Sequence, residues 1–430
     1  MRRAGMRRDY TVPTGRLLPC APRPEAAAQP TFKTIRRTSA MEAYSGVDFM
    51  LTDSLLTEEE RMVRDAAREF VERKVIPIIE QHHREGRFPT MLIPELAELG
   101  FLGANIDGYE CAGLGPVAYG LIMQELERGD SGLRSFVSVQ GGLCMYPIFA
   151  FGSDEQKNKW LPEMAHGRKI GCFGLTEPDF GSHAAGMITR AEDKGTHFVL
   201  NGAKMWITNG CIADVAIVWA KLDGRVQAFL VEKGTPGYST RRQERKFSLK
   251  ASVTSELIFQ DCKIPKENRL PKTVDIDMKG PLSCLSQARY GIAWGALGAG
   301  MACYDAALKY GKERIQFGKP IAGFQLYQRK LAEMITELTK GQLLCIQVGR
   351  LKEQGKVHPS HVSMAKRNSC YVSLEIAREA RDMLGANGIT DEYVVGRHMC
   401  NLESVKTYEG THDIHTLIIG QRVTGLSAFE

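Results

Sequence analysis

The chain of 430 residues lacks most of the signatures that place a protein at sight. Its 11 cysteines are scattered singly, with no C-x-x-C, and their odd number argues against a disulfide framework and for a reducing compartment. No His/Cys spacing suits a metal ion, and no G-x-G-x-x-G occurs, so neither a zinc site nor a dinucleotide-binding helix can be argued. The apolar run 290–304 is too short to span a bilayer, so no integral membrane segment is expected, and its glycines and alanines suit closely packed helices. An excess of positive charge is confined to the N-terminus. Residues 1–40 hold nine Lys and Arg against Asp9 and Glu25, a net +7, and since the whole chain is +6 the remainder is −1. A body of that charge disfavours a general nucleic-acid binder, which needs a broad basic face. Hydrophobic residues at 43% and charged residues at 25% are ordinary for a globular protein of two or three domains.

Residues 1–40 combine many arginines with Pro13, Pro19, Pro22, Pro24 and Pro30. An Arg-rich, acid-poor start fits a mitochondrial transit peptide, and hence a matrix enzyme, although the prolines oppose a long amphipathic helix. The alternative is a true start at Met41, with the preceding segment a misassigned extension and the protein cytoplasmic in a bacterium. In either case the leader is no part of the fold.

Helical texture begins at Thr57, where Thr57 and Glu60 form a capping box, with Met62/Val63, Ala66/Ala67 and Phe70/Val71 at helical spacing. It continues to about residue 161. Short strand-like runs follow at 169–176, 198–200, 204–208, 215–220, 227–231 and 256–259, and Asn201-Gly202 reads as a hairpin turn. Helical pattern returns from about 282, with long segments at 287–315, 325–354 and 360–387. The order helical, β, helical predicts an α+β fold with domains at 48–165, 166–275 and 280–430.

Four clusters could carry chemistry. At 171–178, followed by Gly181-Ser182, a strand runs into a loop of Gly, Thr and Ser whose N–H groups and hydroxyls can hold a phosphate or a polar ring edge, or which is a plain turn. Trp206 and Thr208 can share one strand face and offer an aromatic wall and a hydroxyl to a planar cofactor, or Trp206 is simply core. If one helix continues from Glu125 to Ser138, Arg134 and Ser138 are i,i+4 neighbours with Glu127 two turns earlier. An Arg beside a hydroxyl suits a carboxylate ligand, and the alternative is an Asp130–Arg134 surface pair of little value. In the fourth cluster, 407–413, Glu409 lies just before the apolar Ile414 and 417–419. A carboxyl held among apolar groups can have a raised pKa and act as a general base, or it is a solvated helix-start carboxylate.

Taken together and in this order, the segments GCFGLT (171–176), WIT (206–208), RIQFG (314–318) and YEGT (408–411) resemble the acyl-CoA dehydrogenase family over about residues 48–430. Within it, ELERGDSGLRSFVSVQ (125–140), ARYGIAWG (288–295), RDMLGANGI (381–389) and YEGTHDIH (408–415) are most like the glutaryl-CoA dehydrogenases. The resemblance implies a helical N-terminal domain, a central β domain and a C-terminal four-helix domain. It also implies FAD as cofactor, a homotetramer, an acyl-CoA substrate and an electron-transfer flavoprotein as electron acceptor.

Carried over residue by residue, the resemblance makes Glu409 the catalytic base. Glu127, Arg134, Ser138, Ser182, Arg289 and Tyr408 become substrate-binding residues, with Arg134 and Ser138 on the distal carboxylate and Arg289 along the CoA channel. Phe173, Leu175, Thr176, Ser182, Trp206 and Thr208 would meet the flavin end of FAD. Arg314, Phe317, Gln325, Asp382, Gly385 and Thr411 complete the FAD set, the Arg314 and Asp382 groups reaching a neighbouring subunit's cofactor. Ala288 stands where some members carry their base, which leaves Glu409 without a competitor. Two departures are His183, where the family usually has Asp, and Ala386, in place of the second Gly of a Gly-Gly-Asn-Gly run. The implied reaction is dehydrogenation of glutaryl-CoA with loss of CO2 to crotonyl-CoA. A dehydrogenase of another short acyl-CoA, a DNA-associated flavoprotein and an inactive scaffold are the rival readings.

Overall fold

The computed structural model describes residues 46–429, so the leader lies outside the described residues. The first helix, α1 (Glu58–Phe70), opens on the expected box: the Thr57 hydroxyl accepts from Glu60 N–H and the Glu60 carboxylate accepts from Thr57 N–H. A π-type turn at Val71–Val75 links it to α2 (Ile76–Glu85), and α3 (Ile93–Glu98) follows. The core of the first third is α4 (Pro116–Gly129), buried over almost its whole length.

One helix does not continue from Glu125 to Ser138. α4 stops at Gly129, Asp130 turns extended (φ −164°, ψ 140°), and its carboxylate caps α5 (Ser131–Ser138) through Gly132 N–H at 2.7 Å. Asp130 is the reason: a buried Asp prefers to cap and to pair rather than to sit mid-helix. It also accepts from Arg397 at 2.7 Å and Asn401 at 2.9 Å, so the surface pair with Arg134 is ruled out. A second π-type segment, Val139–Met145, leads to α6 (Tyr146–Phe151) and α7 (Asp154–Ala165).

The central sheet comprises β1 (Gly171–Gly174), β2 (Arg190–Asp193), β3 (His197–Thr208), β4 (Val215–Leu222), β5 (Arg225–Glu232), β6 (Tyr238–Arg242) and β7 (Thr254–Pro265). The spatial order is β1-β4-β2-β3-β7-β6, with β5 on β4. The hairpin expected at Asn201-Gly202 is instead a β-bulge inside the single strand β3, where the register to β7 slips between Leu200 and Gly202. Asn201 serves the neighbouring strand, accepting from Asp261 N–H at 2.9 Å, and Gly202 takes φ 143°. The tight β4–β5 turn falls at Asp223-Gly224, both at positive φ, where an Asp-Gly pair suits the hairpin twist. The short polar strands β2 and β6 carry too little apolar alternation to be read from sequence.

The last third is built from α8 (Lys279–Glu313), α9 (Gln325–Glu353), α10 (Pro359–Met383) and α11 (Val394–Thr407), which pack on one another as the expected four-helix group. A two-residue ribbon, β8 (Ile315–Gln316) with β9 (Lys319–Pro320), separates α8 from α9, and α12 (His412–Thr424) follows α11. The Gly/Ala run lies inside α8 and lets α4 approach closely: a side chain at Gly298 would overlap the Gln124 carbonyl oxygen, and one at Gly120 the Trp294 ring. That close approach brings Glu127 of α4 to the inner face of α8.

Candidate active site

Glu409 occupies the break between α11 and α12, at φ 53°. A non-glycine residue in the left-handed region costs about 1 kcal/mol, so the surroundings must hold it there. Lys366 of α10, 1% exposed, donates to Tyr408 O at 2.7 Å and to Gly410 O at 2.6 Å. Arg289 of α8 donates from Nε to Glu409 O at 2.7 Å. Gly410, at φ 96°, leaves room for this: a Cβ there would press on His415 Nε2 and Arg289 Nη2. The Glu409 side chain is half-buried, and its Oε2 is buried without a hydrogen-bond partner. Desolvation pushes its carboxyl above the ordinary glutamate value, against the opposing pull of Arg134, Lys366 and Arg289. The solvated helix-start alternative therefore fails, since an unpaired, desolvated carboxylate is the arrangement of a general base.

Beside it lies the arginine cluster. Arg134 of α5 is 1% exposed and donates from Nε to Glu127 Oε2 at 2.6 Å and from Nη2 to the Tyr408 hydroxyl. The Glu127 charge is the main cause that raises the Arg134 pKa against the cost of burial. Glu127 Oε1 and Ser138 Oγ are buried without a hydrogen-bond partner, which leaves acceptors and a hydroxyl free next to the guanidinium. A side chain at Gly295, within the ARYGIAWG stretch, would overlap Glu127 Oε2. Arg134 and Ser138 are i,i+4 neighbours on α5, as their spacing suggests, but Glu127 belongs to α4. Glu127 meets Arg134 across a helix break, held by the Gly295 gap in α8, rather than two turns along one helix.

The residues proposed for the flavin divide by burial. Phe173 and Leu175 belong to the core, Phe173 packing its ring 6.2 Å from that of Trp219, so their side chains have little free surface to offer a ligand. Thr176 is half-buried and Ser182 exposed on the loop that follows β1. Trp206 is 62% exposed at φ 64°, which excludes the core alternative. It lies in a second bulge, between Lys204 and Ile207, so the bulge, and not simple alternation with Thr208, turns it outward.

A second group surrounds a cavity of about 390 Å³ lined by Tyr310, Arg314, Gln316, Gly385, Ala386 and Asn387. Gly385 takes φ 59° there. Ala386 is not among the positive-φ residues, so its extra methyl carries no backbone strain. Phe317 is 94% exposed, and Gln325 is exposed at the start of α9. Asp382 is engaged by Lys330 at 2.9 Å, and the Thr411 hydroxyl caps α12 through Ile414 N–H at 3.2 Å. His183 is exposed, its ring 6.4 Å from Phe180.

Three further groups escaped sequence reading. Lys366 lies in the helical run 360–387, where no local pattern marks it as buried. Glu177 and Lys204 form a buried ion pair at 2.8 Å, with Glu177 also accepting from Ile188 and Thr189 N–H, which ties the loop after β1 to β3. His415, 0% exposed, bonds Ser363 Oγ at 3.0 Å, and burial lowers its pKa to about 3, so the ring stays neutral.

Three family models match in succession: acyl-CoA dehydrogenase, N-terminal domain, on residues 57–168; middle domain on 172–262; C-terminal domain on 279–424. The chain therefore belongs to the acyl-CoA dehydrogenase family. A glutaryl-CoA dehydrogenase from Mycobacterium smegmatis is similar at 52% identity with a TM-score of 0.88, covering 90% of this chain and 100% of that one. A second structure of a glutaryl-CoA dehydrogenase from that organism, in complex with FADH2, has 48% identity and a TM-score of 0.89, with the same coverage. The short-chain specific mitochondrial acyl-CoA dehydrogenase of Rattus norvegicus is 36% identical over 370 residues, 85% of this chain and 90% of that protein.

FAD is the cofactor of this family, and the residues here fit it. Trp206 gives an exposed ring, Thr176, Ser182 and Thr208 give hydroxyls, and Arg314 gives a cation at a cavity beside the exposed Phe317. No helix among the described residues is long and apolar enough to cross a membrane.

Proposed function

We propose that the protein oxidises glutaryl-CoA across its α,β-carbons and releases CO2 to give crotonyl-CoA, the step such enzymes serve in lysine and tryptophan breakdown. The observation that carries this reading is the buried Arg134, aligned with Ser138 and Tyr408 beside an unpaired Glu409. When bound, FAD accepts the hydride that leaves the β-carbon. Glu409 takes the α-proton, for which its raised pKa and free Oε2 suit it. Arg134 and Ser138 hold the distal carboxylate, because a charge in a dry pocket needs a partner and guanidinium binds it bidentately. Loss of CO2 from the oxidised acyl chain leaves a dienolate stabilised by the thioester, and proton return gives the crotonyl product. Positioned donors at the developing enolate supply much of the rate. By family likeness the enzyme is a homotetramer that passes its electrons to an electron-transfer flavoprotein. The exposed Phe317 and the Arg314 cavity support a neighbouring subunit's cofactor at that surface. The compartment is the mitochondrial matrix if residues 1–40 are a transit peptide, and the cytoplasm if the chain is bacterial.

A second reading, a short-chain dehydrogenase without decarboxylation, is favoured by one observation. Arg134 is already neutralised by Glu127, so the acyl pocket has no net charge to offer a carboxylate. Anaerobic mixing of the FAD-loaded protein with glutaryl-CoA and with butyryl-CoA separates the two readings. Flavin bleaching with crotonyl-CoA and CO2 from glutaryl-CoA, at higher kcat/KM than butyryl-CoA, is expected. Preference for butyryl-CoA moves the assignment to the second reading.

A further inference from the structure

The three carbonyls of residues 408–410 lie between two helices and so have no ladder donor, yet each is satisfied by a cation from another helix. Lys366 takes those of Tyr408 and Gly410, and Arg289 takes that of Glu409. Buried backbone acceptors need donors, but backbone N–H groups or water usually serve. Two desolvated cations are a costly choice, since burying a charge is unfavourable unless it is paired. Among the described residues neither Lys366 nor Arg289 forms an ion pair with a carboxylate. Glu409 is the carboxylate whose charge acts on both. Arg134, by contrast, is balanced by Glu127. The strained residue and the two lone cations therefore occupy one place, and Gly410 leaves the gap through which Arg289 reaches it.

We propose that Lys366 is a positioning residue for the general base: its ammonium grips the carbonyls on either side of Glu409 and, with Arg289, holds that residue in the left-handed turn that presents its carboxylate. The inference rests on the assignment of Glu409 as base. Lys366 does not touch substrate; it acts through the backbone of the loop. A small displacement of a catalytic group is enough to cost about 100-fold in rate.

The test uses the FAD-loaded full chain as wild type, Lys366→Met, Lys366→Arg, Glu409→Gln and the double variant Lys366→Met/Glu409→Gln. It measures kcat, KM, FAD content and Tm with the preferred acyl-CoA. Lys366→Met is expected to lower kcat by about 100-fold and to lower Tm modestly, because two carbonyls lose their donor, while FAD content stays near wild type and KM moves little. Lys366→Arg, which keeps the cationic donor, is expected to recover most of the loss. The double variant should be no slower than Glu409→Gln, because groups acting as a unit are not additive. If Lys366→Met does not fold, Lys366→Gln, which keeps an N–H donor but no charge, carries the same comparison. Wild-type kcat in the Lys366 variant beside an inactive Glu409→Gln overturns this inference alone, as does a joint fall of kcat, FAD content and Tm that Lys366→Arg fails to restore. Retention of kcat by Glu409→Gln overturns the base assignment, and this inference with it.

Discussion

Replacing Arg134 with Met tests stability and specificity in one substitution. The guanidinium is 1% exposed and sits 2.6 Å from Glu127 Oε2, whose other oxygen already lacks a partner. Arg134→Met therefore leaves a buried carboxylate with nothing to balance it. Breaking a buried pair from one side costs about 3–5 kcal/mol. Removing both charges in Arg134→Met/Glu127→Leu leaves no orphan and should return stability to near wild type, since apolar replacements of a buried pair are often neutral or better. Catalysis should not follow stability. Glutaryl-CoA loses the partner of its distal carboxylate in both variants, and a loss of about 3–4 kcal/mol corresponds to roughly 100- to 1,000-fold in kcat/KM. Butyryl-CoA has no such carboxylate and should change little, most clearly in the restabilised double variant. The assay is a thermal melt at fixed protein and FAD concentration, because ligand binding shifts apparent stability, together with kcat/KM for both substrates. Equal losses for the two substrates, or a double variant as unstable as Arg134→Met, would refute the reasoning.

Three further outcomes are expected. Glu409 must be ionised to accept the α-proton and burial raises its pKa, so kcat should climb with pH through a midpoint above the ordinary 4.5; Glu409→Gln should lose at least about 100-fold at all pH. Steady-state pH profiles check both. Gly298→Ala forces a methyl against the Gln124 carbonyl oxygen at the α4–α8 contact and should cost about 1–3 kcal/mol or more, read as a drop in Tm or in soluble yield. His398 is fully buried with its pKa lowered from 6.5 to about 3, so the folded state binds fewer protons than the unfolded state in that range and stability falls as pH falls through it. At pH 5 the loss is about 2 kcal/mol, and urea midpoints of His398→Leu should decline less between pH 7 and pH 5 than those of wild type.

Much of the site was legible from sequence because its parts are local. The Thr57 capping box, the order helical, β, helical, and the strand-to-loop passage after β1 each depend on a few neighbouring residues, and each is present. Where reading failed, a distant group had overruled local preference. Asn201-Gly202 has turn chemistry, but the long partner β7 runs past it and makes it a bulge. One helix does not run on from Glu125 to Ser138 because Asp130 has three donors waiting for its carboxylate, one of them Arg397 more than 260 residues away.

The sequence by itself established the order of helical and β regions, the family likeness, and Glu409 and Arg134 as candidates for the base and for the carboxylate partner, since those lie in short patterns with a chemical reason for each residue type. Only the tertiary structure decided that Trp206 faces outward, that Glu127 neutralises Arg134 across a helix break, and that Lys366 and Arg289 hold the carbonyls around Glu409. Burial and charge balance depend on which side chains meet after the helices pack. A lysine that will be buried is written in the chain no differently from one that will face water.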